Sequence, residues 1–378
     1  MLDAQQQQIV RLLHAEDGLS RTELAKQMDV SKAAMSHLVR KLIDQHVVVE
    51  SLPSVNGQGR PSVLLTVCSD RYFFIGVSLL GEQVELVLVD LADRPLAHIA
   101  FEFVREPAQL AANIASHIEP LLAQTHVNIS AVLGVGIALS GVINKTRDHC
   151  IKSTLLGWSD VALVQLLQQH VQLPIYLEND AKSLAIHQHL FGLARDVNNF
   201  ALLTHSDGIG SAQFIHGQLY RGAHGGAGEI AHTTIELNGL PCRCGKRGCL
   251  DTVSSLIAIR ENATRHGLSQ TTIPALEGLA MTGDSTAIGI LHRAGNALGL
   301  AIAHVIQLND PQSVLIAHHP DCFNGLFATL VKQSIDTHVL PDLASKIQIC
   351  PFALHPQIWT HAAASVAIHQ FLHQPLNK

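Results

Sequence analysis

Three cysteines, Cys242, Cys244 and Cys249, fall within eight residues of one another, with Gly245 and Gly248 between them. No other feature restricts so tightly what the chain can fold into. Thiols this close either pair as disulfides or share a cation, and the compartment decides which. The N-terminus, Met1-Leu2-Asp3-Ala4 and then four glutamines, lacks the basic patch and apolar stretch of a secretory leader. No apolar run approaches the roughly 20 residues that span a bilayer. The longest, Ala131 to Ile143, reads as a buried strand. These features predict a soluble cytoplasmic protein with no membrane insertion, where clustered thiols point to metal. Cys-x-Cys puts two sulfurs on one turn, and the glycines let the chain fold back so that Cys249 reaches the same ion. His232, ten residues before Cys242, can complete the set. One imidazole and three thiolates are the number and type of ligands for one tetrahedral structural zinc per chain, with no position left open for catalysis. The alternative is a reduced, metal-free thiol cluster. The remaining cysteines, Cys68, Cys150, Cys322 and Cys350, stand alone among apolar residues and read as small buried hydrophobes.

At roughly 100–200 residues per domain, 378 residues suggest two or three domains. The N-terminal 66 residues carry the pattern of a DNA-binding module. Apolar Ile9, Val10, Leu12 and Leu13 mark a first helix. Ser20-Arg21-Thr22-Glu23 reads as a capping box opening a second, with Leu24, Ala25 and Met28 on one face. After a turn at Asp29-Val30, Ser31 caps a third, in which Ala34, Met35, Leu38, Val39 and Leu42 recur at helical spacing. This is the order of a helix-turn-helix. From Ser31 to Ile43 the chain has Lys32, Arg40 and Lys41 and no acid. Ser31, Lys32, Ser36, His37 and Arg40 are the candidates for contact with DNA. Val47–Glu50 and Val63–Leu65 look like the strands of a wing. The loop between them ends in Gly59-Arg60-Pro61, which resembles an arginine hook for the minor groove. A net charge of −6 confines any nucleic-acid affinity to such a local patch. A small helical protein-interaction domain is the alternative; capping, the acid-free helix and the wing favour DNA.

Beyond Val67 the pattern is α/β. Phe73–Leu79 and Val84–Val89 form a hairpin around Gly81. Phe200–Thr204 and Ala212–Ile215 form a second through Asp207-Gly208-Ile209-Gly210. Two such hairpins about 125 residues apart hint at duplication. Helical stretches are read at 107–125, 162–170, 181–192, 256–266 and 285–308.

Gly225-Gly226-Ala227-Gly228-Glu229-Ile230-Ala231-His232, followed by Cys242-Arg243-Cys244-Gly245-Lys246-Arg247-Gly248-Cys249-Leu250-Asp251, resembles the signature of the ROK family, which groups sugar-responsive repressors with sugar kinases. Glu178-Asn179-Asp180-Ala181 and Leu308-Asn309-Asp310-Pro311 also fit it. The resemblance implies an α/β fold: a winged helix-turn-helix at 1–66, then a two-lobed, actin-like (hexokinase-like) body, with lobes at 67–195 and 196–378 and C-terminal helices returning to the first lobe. It also implies a sugar pocket lined by Asn179, Asp180, Glu229, His232 and Asp251, His232 serving metal and sugar through its two nitrogens. Two departures stand out, Asp251 where Glu is usual and Ala231 where Gly is usual. The shorter Asp251 puts the identity of the sugar in doubt. From chemistry alone, Asp180 equally suits a helix N-cap.

In the family's kinases the residue matching Asp180 is the catalytic base, and it is present. The first phosphate hairpin of such kinases reads Asp-x-Gly-Gly-Thr, whereas this chain has Ser78-Leu79-Leu80-Gly81-Glu82. The glycine pair on the nucleoside side is replaced where Leu315-Ile316-Ala317 runs into His318-His319, and the second hairpin gains Asp207. Phosphoryl transfer depends on positioning and charge stabilisation at the phosphates, so sugar binding without phosphorylation is expected. The reading is a sugar-responsive transcriptional regulator, a repressor, acting on operator DNA as a homodimer or homotetramer; a sugar kinase with an appended DNA-binding domain is the runner-up. Control by a membrane-bound sugar-transport protein is a third route.

Overall fold

The computed structural model describes residues 3–16, 18–51 and 63–373. It opens with α1 (Ala4–Ala15), β1 (Leu19–Ser20), α2 (Arg21–Gln27), α3 (Lys32–Asp44), β2 (Val48–Ser51) and β3 (Leu64–Val67). Each helix starts where a side chain satisfies an orphan backbone donor. Asp3 and Gln6 form a reciprocal box on α1 at 2.9 and 3.0 Å. Ser20 and Glu23 do so on α2 at 2.8 and 3.3 Å. On α3 the Ser31 hydroxyl accepts from the Ala34 N–H. Buried Met35, Leu38, Val39 and Leu42 face α3 inward, while Ala34, read from spacing as part of that face, is exposed. The strands pair in the order β1-β3-β2, with Leu19 opposite Leu65 and Val48 opposite Val67. A strand as short as β1 has no periodicity to read. The Arg21–Glu50 ion pair fastens α2 to the wing.

The body continues through β4 (Phe73–Leu79), β5 (Gln83–Asp90), β6 (Pro95–Glu102), α4 (Pro107–Ala123), β7 (Val132–Leu139), β8 (Val142–Ile143), β9 (Cys150–Ser153), β10 (Trp158–Val161), α5 (Leu163–Gln168), β11 (Ile175–Asn179) and α6 (Asp180–Phe191). It goes on with β12 (Phe200–His205), β13 (Ile209–Ile215), β14 (Gln218–Leu219), α7 (Asp251–Ser254), α8 (Leu256–Arg265), α9 (Ile273–Met281) and α10 (Ser285–Asn309). It ends with β15 (Ser313–His318), α11 (Leu326–His338), α12 (Pro341–Ala344), β16 (Gln348–Ala353) and α13 (Ile358–His373). The chain groups into two compact units. One holds the residues through Leu139, Ala162–Glu178 and those from Thr360 on; the other holds Ser140–Val161 and Asn179–Trp359. The apolar run Ala131 to Ile143 is thus two strands, interrupted at Ser140-Gly141 where the chain leaves the first unit.

The first unit is built on a sheet of order β11-β7-β4-β5-β6, with β4 parallel to β7 and antiparallel to β5. Every residue of β4 is buried, whereas β6 is a largely exposed edge strand that buries only Ala97 and half-buries Ile99 and Phe101. On one face lies α13. Gly76 and Gly136 make this possible: a Cβ on Gly76 would collide with the Thr360 carbonyl oxygen, and one on Gly136 with that of Ala363. Phe371 adds ring contacts to Tyr72 and Phe74 at 5.2 and 5.7 Å.

The second unit repeats the theme with the order β14-β13-β12-β15-β16, an antiparallel β12–β13 hairpin leading into parallel β15 and β16. Its core is the buried face of α10, where Leu291, Leu298 and Ile302 meet Phe327 and Val331 of α11. A small sheet, β10-β9-β8, belongs to this unit. Among the described residues no helix is long and apolar enough to cross a membrane.

Candidate functional site

On the winged helix, Ser31, Lys32, His37 and Arg40 are exposed along α3. Ser36 is half-buried and its hydroxyl donates to the Lys32 carbonyl at 2.8 Å, so it is tied back to its own helix. Ala33 and Ala34, which sequence reasoning did not nominate, are exposed at the start of α3, where small apolar groups suit a thymine methyl. Arg60 lies outside the described residues.

The five residues proposed for sugar all belong to the second unit, and β13 with its entering turn brings their segments together. An added Cβ on Gly208 would lie 3.9 Å from Asp251 Oδ1; one on Gly210 would lie 3.0 Å from the Cβ of Ala181, which follows Asp180. The Ser211 hydroxyl donates to the Gly228 carbonyl at 2.8 Å, next to Glu229. Gly208, Gly210 and Ser211 thus lie against Asp251 itself and against the chain neighbours of Asp180 and Glu229. The α6 N-cap is Asn179, not Asp180: its Oδ1 accepts from the Lys182 N–H at 3.2 Å while its Nδ2 donates to Gly141 O at 3.1 Å. Asp180 is the first residue of the helix, and its Oδ1 accepts from the Ala181 N–H at 2.9 Å. Removal from water, with the Glu229 charge adding to it, raises the Asp180 carboxyl to about 6. Asp251 is 7% exposed, and its Oδ1 has no hydrogen-bond partner among the described residues.

Glu229 and His232 bracket one 3₁₀ turn, the His232 N–H donating to the Glu229 carbonyl at 3.1 Å. His232, Cys242, Cys244 and Cys249 offer ligand atoms that all lie within 4.8 Å of one another. Cys242 Sγ is 3.6 Å from His232 Nδ1, and Cys244 Sγ is 3.6 Å from Cys249 Sγ. A tetrahedron with zinc–sulfur arms of about 2.3 Å has edges of about 3.8 Å, so the donor set fits zinc in type and size. Gly245 and Gly248 turn the loop with φ of +93° and +68°. Without a cation, burial and then the Cys244 and Cys242 thiols push the Cys249 thiol up to about 12.

Glu82 is exposed in the β4–β5 turn, and Asp207 is paired with Arg260. At the carboxyl ends of β12 and β15, where open sheets bind ligands, rings fill the space. His205 is fully buried, its Nε2–H donates to Ser254 O at 2.7 Å, and it stacks on Phe327 at 5.2 Å; His318 stacks on Phe323 at 5.1 Å. Burial first, and then the charges of His318 and His319, lower the His205 imidazole to about 4, partly offset by its bond to Ser254.

A winged helix ahead of two matched five-stranded sheets, the second carrying carboxylates beside a Cys₃His set, defines a DNA-binding protein with the body of a sugar kinase. The ROK family matches residues 74–356, and a winged helix-turn-helix DNA-binding domain matches residues 2–49. The chain belongs to the ROK family. It is 24% identical to the xylose repressor of Bacillus spizizenii across 94% of this chain and 92% of that one. It is likewise 24% identical to the DNA-binding transcriptional repressor Mlc of Escherichia coli K12, across 90% and 87%. A solved ROK family transcriptional regulator, a homologue of E. coli Mlc, matches with a TM-score of 0.83 and 25% identity over 97% of this chain and 96% of its own. The ROK hexokinase of Thermus thermophilus shares the body fold, with a TM-score of 0.68 and 22% identity over 79% of this chain and 98% of that one.

Proposed function

We propose that the chain is a sugar-responsive transcriptional repressor that binds operator DNA through α3 and the wing and a monosaccharide through the second unit, without phosphorylating it. The observation that carries the sugar reading is the buried, unpartnered Asp251 Oδ1. A carboxylate oxygen left without a donor is costly, and a sugar hydroxyl is a small donor that can supply one. Asn179, Asp180, Glu229 and His232 are the further ligands in this reading. Xylose, glucose and N-acetylglucosamine are all compatible, in keeping with the repressors it resembles. The kinase alternative keeps Asp180 but must place phosphates beside Glu82 and a nucleoside against the stacked rings.

His232, Cys242, Cys244 and Cys249 would hold one zinc, which would brace the loop and fix the distance from Glu229 to Asp251. Palindromic operators call for two-fold symmetry, so a homodimer or a homotetramer is the working assembly, placed in the cytoplasm with the DNA. A sugar-transport protein could replace free sugar as the signal. The test begins by selecting bound sequences from a random DNA pool. The selected operator is then titrated with and without each sugar at one fixed salt concentration. Release by at least one sugar, with no sugar-dependent ADP formation, is the expected result; no release by any sugar removes the effector reading.

A further inference from the structure

Arg243 stands between two of the cysteine ligands, in a position no sequence pattern connects with the carboxylates. Its Nη2 lies 3.2 Å from Asp251 Oδ2 and 3.1 Å from the place a Cβ on Gly208 would take. Among the described residues Asp251 is its only polar partner, and its side chain is 43% exposed. A guanidinium carries five N–H donors in a fixed plane, so most are uncommitted. Beside them sits a carboxylate whose side chain is 9% exposed and whose Oδ1 is unpartnered. One small volume therefore contains a buried acceptor without a donor and a group of donors without acceptors.

We propose that Arg243 is a sugar-contacting specificity residue, forming with Asp251 a donor–acceptor fork for two neighbouring hydroxyl groups of a pyranose. One hydroxyl donates to Asp251 Oδ1; the oxygen of the other accepts from the guanidinium. Hydroxyls on adjacent ring carbons lie side by side, as the guanidinium and the Asp251 carboxylate do here. A phosphate in the same place would set its oxygens against the unpartnered carboxylate oxygen, so the fork selects a neutral diol over an anion. The assignment rests on the sugar reading of the site.

The test uses the metal-loaded full chain and calorimetric titration with xylose, glucose, N-acetylglucosamine, N-acetylglucosamine 6-phosphate and the monodeoxyglucoses. Arg243→Gln should weaken the best sugar at least tenfold while its metal content matches wild type. One monodeoxy sugar that wild type rejects tenfold or more should bind Arg243→Gln as well as its parent does, because both changes remove the same contact. If Arg243→Gln loses its metal, Arg243→Lys, which keeps the charge but not the planar fork, carries the same comparison. Unchanged affinity and an unchanged deoxy-sugar pattern in these variants overturn the assignment and leave the sugar reading standing. Tighter binding of the 6-phosphate, abolished by the substitution, overturns it in favour of an anion site. A wild type that binds none of the sugars removes both.

Discussion

Two titratable groups in the second unit should announce themselves in nearly the same pH window with opposite signs. The Asp180 carboxyl, raised to about 6, holds its proton more tightly folded than unfolded. Its ionisation therefore costs stability as pH rises from about 4 to about 6. Asp180→Asn removes that cost and leaves the Asn179 cap in place, so the variant should be up to about 3 kcal/mol more stable than wild type at neutral pH. It should also lose a hydroxyl acceptor and ignore the inducing sugar while still binding operator. Urea unfolding at two pH values and an operator titration check both halves. An unchanged sugar response would reduce Asp180 to a structural residue. His205 works the other way. Its folded value, about 4, lies below the unfolded one, so stability is lost as pH falls from about 6.5 to about 4. His205→Gln, whose amide can still donate to Ser254, should flatten that loss, which for a shift of this size is about 3 kcal/mol. If the acid limb of the stability curve is identical in the variant, the buried imbalance lies elsewhere.

At the scale of the element, the proposed zinc would brace the loop from His232 to Cys249 through the four clustered donors. Cys244→Ala leaves three donors and should abolish the one zinc per chain, lower the melting temperature and silence the sugar response together, because Glu229 and Asp251 flank the ligands. Metal analysis of the purified variant and a sugar thermal shift decide this; retained zinc with a normal shift would contradict it. Such a loop is legible in the sequence, since Cys-x-Cys and a pair of glycines are local signals. The capping box at Ser20 and Glu23 is legible for the same reason, as are α4, α8 and α10, whose apolar spacing runs for several turns. What escapes depends on contacts between distant residues. Nothing in the order of residues places Arg243 on Asp251 or relates Gly208 to either. Helical spacing draws the apolar face of α3 too wide at Ala34, because alanine carries no preference for either side. It is equally blind to which of two adjacent residues caps α6, since Asn and Asp are interchangeable as caps and Asn179 precedes Asp180 directly.

Across the whole molecule, the proposed repressor needs sugar and operator to prefer different states of one chain. The usual coupling of about 1–3 kcal/mol corresponds to roughly 5–150-fold. Thermodynamic linkage demands reciprocity: if sugar weakens operator binding by some factor, saturating operator must weaken sugar binding by the same factor. Calorimetric titration of sugar into free protein and into the protein–operator complex should return matching factors. Unequal values would show that a third component, such as a transport protein, carries part of the signal.

The first unit also constrains how the chain is made. Its central strands, β4 and β7, are covered by a helix that begins only at Ile358, and Gly76 and Gly136 fit no other partner on that face so closely. On the ribosome the DNA-binding module and most of the sheet emerge early, yet the sheet stays uncovered until the residues after Ile358 have been made. A message cut short before codon 358 would therefore yield a chain with its winged helix encoded in full and a bare apolar sheet behind it. Such fragments are candidates for aggregation or proteolysis, so alleles that stop translation just before codon 358 should be as severe as those that stop it near the start.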